Sequence, residues 1–133
     1  FPRPMVGDGT LDVSFSGLKT AVVNHVRKHP EVRTEDVAAS FQEAVVDVLV
    51  AKAQAAAREV GAKGLCLGGG VAANSRLRER FLEACQADGI RGFLPSRAMC
   101  TDNAAMVASA AWYRWQSDGP SPLDTGALPN LGL

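Results

Sequence analysis

Cysteine is scarce in this chain, with three residues in 133, an odd number and no Cys-x-x-Cys pair. That argues against a disulfide framework or a structural zinc site as its source of stability. Cys66 and Cys85 sit in apolar or amphipathic runs and read as core residues. Excess charge is missing too: fourteen basic and fourteen acidic side chains cancel to a formal net charge of zero. The chain therefore has no basic footprint with which to grip a polyanion by itself. Apolar residues make up 47% but are interleaved with charges, so no run is long enough to cross a bilayer. No signal peptide or anchor is visible, and the expected setting is the cytoplasm. Nor is there an internal repeat, a His-Glu-x-x-His motif or a nucleophile–base pair.

What is present reads as alternating elements. Residues 1–10 are rich in Pro and Gly and expected to be extended, and 11–16 alternate enough for a short strand. A helix follows Gly17, with Leu18, Val22, His25 and Val26 at helical spacing until Pro30 stops it. Thr34 is the expected N-cap of a long helix to about Val60. Its expected buried stripe is Val37, Phe41, Val45, Val48, Leu49 and Ala53, and Gly61 ends it. Two βα units come next: a strand over 63–67, a helix over 73–88, a short strand over 92–94 and a last helix from Thr101 to about Gln116. Residues 118–133, full of Gly, Pro and Ser, are expected to be a flexible tail after a folded 1–117.

The first of these units carries the most distinctive stretch, an apolar run that enters Gly68-Gly69-Gly70 and leaves through small residues and Asn74 into a charged helix. Glycines let a ligand touch the backbone, and the N–H groups at the start of a helix suit a phosphate or acyl group. The alternative is that such a turn only supplies close strand-to-helix packing. The second unit opens its helix with Asp102-Asn103, where Asp102 is either a ligand or a plain cap, and Asn103 could cap equally well. Both helix starts follow a short strand and are expected at the carboxyl edge of a parallel sheet, facing one cleft. His25 and His29 have metal-ligand spacing, but the cations Arg27 and Lys28 lie between them and no Glu adjoins the first His, so they read as a solvated helix face. Trp112, Tyr113 and Trp115 either stack on bases or, as apolar helix ends more often do, belong to a core.

Three segments, Asp-Val-Ser-Phe-Ser-Gly-Leu-Lys-Thr at 12–20, Gly-Gly-Val-Ala-Ala-Asn at 69–74 and Cys-Thr-Asp-Asn-Ala-Ala-Met at 100–106, resemble the TsaD family in order and spacing. These are the tRNA N6-adenosine threonylcarbamoyltransferases, long labelled O-sialoglycoprotein endopeptidases or glycoproteases. The resemblance runs from Phe1 to about Trp115, with mild departures at Ala72 and Ala104. It implies an α/β fold, part of an actin-like, Hsp70-like ATPase (ribonuclease H-like) lobe with two βα units and long helices. It also implies transfer of a threonylcarbamoyl group from its adenylate to N6 of the adenosine next to the anticodon.

Carried over to this chain, the resemblance makes Asp102 a ligand of one iron or zinc ion, completed by histidines upstream. Asn74, Gly69 and Gly70 become the binding residues for ATP or the acyl-adenylate, and no residue here is assigned to the chemical step itself. Ser14, Ser16 and Lys19 belong to a family motif and read as a turn that places the following helix. The implied partners are tRNA, threonylcarbamoyl-adenylate, an upstream lobe of the same protein, a paralogous same-fold subunit and a small P-loop ATPase, with no membrane. At 133 residues and without an initiator Met, the chain is expected to be the C-terminal part of a longer enzyme. Alone it is expected to be inactive, to hold no metal and to self-associate through uncovered surface. The competing readings are a non-catalytic actin-like scaffold that binds partners and, less favoured, the metallo-glycoprotease of the old label.

Overall fold

The computed structural model describes residues 1–126, and these form an α/β arrangement of four helices and a small parallel sheet. In chain order the elements are α1 (Ser16–Lys28), α2 (Thr34–Glu59), β1 (Gly64–Cys66), α3 (Ser75–Ala87), β2 (Arg91–Phe93) and α4 (Ala104–Asp118). Short 3₁₀ turns at Gly70–Ala73 and Arg97–Met99 follow the two strands. The molecule divides into two units, Phe1–Cys100 and a second that starts at Thr101. Among the described residues no helix is long and apolar enough to cross a membrane.

In the first unit, the same chain-reversal device is used twice. Helix α2 ends where Gly61 takes φ +60°, with Ala62 N–H donating to Ala57 O at 2.8 Å and Gly61 N–H to Arg58 O at 3.3 Å. Helix α3 ends alike: Gly89 takes φ +66°, Ile90 N–H donates to Cys85 O at 3.0 Å and Gly89 N–H to Gln86 O at 3.2 Å. This paired closure satisfies the last helical carbonyls and needs a left-handed residue, so glycine stands at both corners. Each closure delivers the chain into a strand. The two strands pair in parallel, Gly64 with Arg91, Leu65 with Gly92 and Cys66 with Phe93, with α3 as the crossover.

The core lies between α2 and α3, where Val46, Val50 and Leu77 cluster with Leu49, Leu67 and Ala84 packed against them. Burying each of the larger side chains is worth about 1.5–3 kcal/mol. Leu18, fully buried, is the one α1 residue in the core. Helix α2 thus has neighbours on two sides, and its buried residues are Ala44, Val46, Val48, Val50, Lys52 and Ala57. Of the expected stripe only Val48 is fully buried; Val37, Phe41, Val45, Leu49 and Ala53 are half-exposed. Residues 41, 45 and 49 line an open groove instead. A single 3.6-residue stripe describes a helix with one packing face, and α2 has two.

Two further expectations are corrected. Residues 11–15 form no strand, because a strand must exchange N–H and C=O groups with a neighbour and the sheet offers them none. The segment before them is held by side chains: Lys52 Nζ donates to Asp8 Oδ1 at 2.7 Å and to Thr10 O at 2.6 Å, and Arg3 pairs with Asp47 at 2.9 Å. Thr34 is the first helical residue of α2 and makes no capping hydrogen bond; Arg33 occupies the cap position, and Glu35 and Asp36 in the first turn complement the helix dipole.

The second unit contains α4, in which no residue is buried. Trp112, Tyr113 and Trp115 are 62%, 72% and 63% exposed, so they are not core residues here. Residues 118–126 carry only the last residue of α4 and turns, and the rest of the expected tail lies outside the described residues.

Candidate nucleotide loop and metal-ligand segment

The loop after β1 is shaped by one backbone requirement. Gly69 sits at φ +83°, ψ 170°, a region essentially closed to side-chain-bearing residues. A Cβ built on Gly68 or Gly69 would meet nothing within 4 Å, so these glycines face open space. The close packing happens elsewhere. A Cβ on Gly64 would lie 3.0 Å from Arg91 O, and one on Gly92 would lie 3.0 Å from Leu82 Cδ2 and 3.2 Å from Cys85 Sγ. The two readings of a glycine-rich corner therefore fall on different residues: Gly64 and Gly92 serve packing, while Gly68 and Gly69 keep the loop surface open.

The first hydrogen bond of the 3₁₀ turn runs from Ala72 N–H to Gly69 O at 3.0 Å. The N–H groups of Gly70 and Val71 precede it and have no intrahelical acceptor, which makes them suitable donors to a phosphate or acyl oxygen. Asn74 then starts α3: its Oδ1 accepts from Leu77 N–H at 3.0 Å and its Nδ2 donates to Gln42 Oε1 at 2.9 Å. Both ends of the amide are engaged. Gln42, on α2, was invisible as a partner in the sequence, since nothing local marks a contact 32 positions away.

Asp102 is exposed, and it is not the cap of α4. Asn103 is: its Oδ1 accepts from Met106 N–H at 3.1 Å while its Nδ2 donates to Thr101 O at 3.0 Å. Among the described residues Asp102 has no hydrogen-bond or ion-pair partner, so its carboxylate is free. It suits a divalent ion as one anionic oxygen donor but cannot hold one alone. The described residues contain no group of three His, Cys, Asp or Glu side chains placed to bind a metal.

Comparison with known proteins decides the family. Residues 1–109, which include all three motifs, match the model of TsaD, tRNA N6-adenosine threonylcarbamoyltransferase. Proteins of that name from Kosmotoga olearia and Desulfitobacterium hafniense are 47% and 49% identical across the whole chain, which covers 40% of each. One from Geobacter is 49% identical over 97% of the chain and 39% of its own length. The chain belongs to the TsaD family. It spans about 40% of the length of the curated relatives it matches.

Within this TsaD-family chain the remaining motif residues have local partners. Ser14 Oγ and Ser16 Oγ are 3.2 Å apart, Lys19 N–H donates to Phe15 O at 3.0 Å and Thr20 Oγ1 donates to Ser16 O at 3.2 Å. These contacts build the first turn of α1. His25 packs edge-on against Phe1, with ring centroids 5.3 Å apart, and His29 Nδ1 lies 3.3 Å from Glu31 Oε1. Cys66 is exposed, contrary to its expected core place, because the short sheet leaves that side of β1 uncovered. Cys85 and Cys100 are the buried cysteines, and desolvation pushes the Cys85 thiol above its usual range.

Proposed function

We propose that this chain is the C-terminal part of a tRNA-modifying transferase that moves a threonylcarbamoyl group from threonylcarbamoyl-adenylate to N6 of the adenosine next to the anticodon. The observation that carries the proposal is the family match over residues 1–109, joined to a carboxylate at Asp102 that capping does not use. In this reading residues 1–117 belong to an actin-like ATPase lobe and 118–133 to a tail. Gly69 and Gly70 let ATP or the adenylate lie against the backbone, with the N–H groups of Gly70 and Val71 as donors. Asn74 fixes that turn through Leu77 and Gln42, and a direct contact with the adenylate exchanges the Gln42 bond while keeping the cap. Asp102 supplies one ligand to an iron or zinc ion whose other ligands lie in the upstream lobe. When bound, such an ion acts as a Lewis acid toward a carbonyl of the transferred group.

The near-neutral chain has little with which to hold tRNA, so most of the grip on tRNA comes from the upstream lobe, a paralogous subunit and a small P-loop ATPase, in the cytoplasm. A non-catalytic scaffold would need neither the open glycines nor a free Asp102. The test is to supply the full-length protein with threonylcarbamoyl-adenylate and tRNA and to analyse the nucleosides by mass spectrometry. Formation of the modified adenosine is expected, and the 133-residue chain alone should form none. A full-length protein that binds partners yet modifies no tRNA would favour the scaffold.

A further inference from the structure

One side chain in the first unit joins two loops that neither cap explains. Arg78, half-buried on the first turn of α3, donates from Nη1 to Ala72 O at 3.0 Å and from Nη2 to Pro95 O at 2.8 Å. Its Nη1 also lies 3.9 Å from Cys100 Sγ, a thiol that donates to Ser96 O at 3.5 Å and is 3% exposed. A second arginine crosses the other way, Arg97 Nη2 donating to Ser75 Oγ at 2.7 Å. Ala72 lies in the turn after the glycines, and Pro95 and Cys100 lie on the stretch between β2 and residue 102. The two strands are parallel, so both loops leave the same end of the sheet, and the guanidinium fills the space between their carbonyls.

We infer that Arg78 is a positioning residue of the nucleotide site, a clamp that holds the glycine-rich turn against the segment leading to Asp102. The inference rests on the reading of that turn as the nucleotide site. A guanidinium is suited to the task because its planar fork reaches two acceptors in fixed directions and stays charged at all relevant pH. A lysine ammonium offers donors from one flexible point and cannot hold both carbonyls in one geometry. Arg76, two residues earlier, is the internal contrast: it pairs with Glu43 and Glu79 and, among the described residues, its side chain hydrogen-bonds to neither loop.

The test uses the full-length protein, ATP as the probe, and amide hydrogen exchange over 69–74 and 95–100. Wild type is compared with Arg78→Lys, Arg78→Met and the control Arg76→Met. Arg78→Met should weaken ATP binding by up to about tenfold, since the lost charge-assisted hydrogen bonds hold the loops and reach affinity only through their preorganisation, and should speed exchange in both loops together. Arg78→Lys should fold as wild type does, recover only part of the affinity and leave the Pro95 loop loose. Arg76→Met should lower the melting temperature yet keep ATP affinity within about twofold. Unchanged ATP affinity in Arg78→Met would overturn the clamp as part of the nucleotide site even if exchange were faster, and unchanged exchange in both loops would overturn it as a tie. If wild type itself binds no ATP, the nucleotide reading of the loop falls, and with it the clamp's role there; faster exchange in the variants would then report a purely structural tie.

Discussion

Helices α3 and α4 open alike and continue differently. Each is capped by an asparagine whose Oδ1 accepts the N–H three residues on, from Leu77 at 3.0 Å and Met106 at 3.1 Å. From there α3 buries Leu77, Phe81 and Cys85 and reaches α2 through Arg76 and Glu43. Helix α4 buries nothing, and among the described residues its ion pair, Arg114 with Asp118 at 3.6 Å, is internal to the helix. The caps differ in the same sense. The amide nitrogen of Asn74 reaches Gln42 on another helix, whereas that of Asn103 turns back to Thr101. A cap fixes where a helix begins; what the helix packs on is decided by distant residues.

The sharpest way to break this comparison is at Asp102, which stands beside a cap without being one. In the full-length protein Asp102→Asn should lower metal affinity by at least about 100-fold, beyond the cost of disturbing an outer hydrogen bond to a ligand, and transfer to tRNA should collapse with it. The melting temperature without metal should stay near wild type, because Asn103 still caps α4. Metal analysis and nucleoside analysis of the same preparation check both. Full metal content with normal modification would leave Asp102 without a ligand role.

Next in size is the packing that α3 has and α4 lacks. Gly92→Ala places a methyl 3.0 Å from Leu82 Cδ2 and 3.2 Å from Cys85 Sγ, and overpacking of that kind costs about 1–3 kcal/mol. Denaturant titration of the chain should show that loss. The equivalent change at Gly119, where a Cβ would meet nothing within 4 Å, strains only a φ of +76° at the end of α4. It should leave the core transition in place.

The parts of the fold read from the sequence were those that local rules determine. Gly61 as a helix stop, the βα alternation and the glycine-rich corner all depend on residues close in the chain. The helix starts are less legible: α3 begins at Ser75 and α4 at Ala104, each after an Asn cap, and not at residues 73 and 101. Before α3 the 3₁₀ turn Gly70–Ala73 satisfies helix-like spacing without being α-helix, whereas residues 101–103 before α4 carry no helical turn and the Asn103 cap sets the start. The stripe on α2 and the expected strand over 11–16 differ from the structure because both depend on what lies alongside, a second packing neighbour in one case and a missing strand partner in the other. Asn74 and Asp102 were marked as important by motif. The partner Gln42 and the two-loop reach of Arg78 were not, since only folding brings them together.

The two caps themselves can be weighed against each other. Asn74→Ala removes the Leu77 bond and leaves the Gln42 amide without its partner, which should cost about 2 kcal/mol at the upper end of cap losses. Asn103→Ala removes a cap on a helix with no buried residue and should cost about 1 kcal/mol or less, read as fraying of α4 by circular dichroism. Equal losses at the two sites would show that the tertiary connection of Asn74 adds nothing.

The smallest effect extends the comparison to residues 1–10, which, like α3, are wired into α2. The Asp8 carboxyl is held down at about 2, from an ordinary 3.8, first by the hydrogen bond from Lys52 and then by that from Thr10 N–H. A carboxyl lowered on folding stabilises the fold while ionised. Its contribution is therefore complete above 3.8 and is lost as pH falls through about 2. Glu43 and Asp88 are lowered as well, by Arg76 and Arg58, so wild type alone cannot isolate Asp8. The difference between wild type and Asp8→Asn can, because those groups are common to both. That difference, taken from urea midpoints, should be constant from neutral pH down to about 4 and shrink toward pH 2. If it stays constant across the acid range, Lys52 is not holding Asp8 in solution, and the segment owes its place to Arg3 and Asp47 instead.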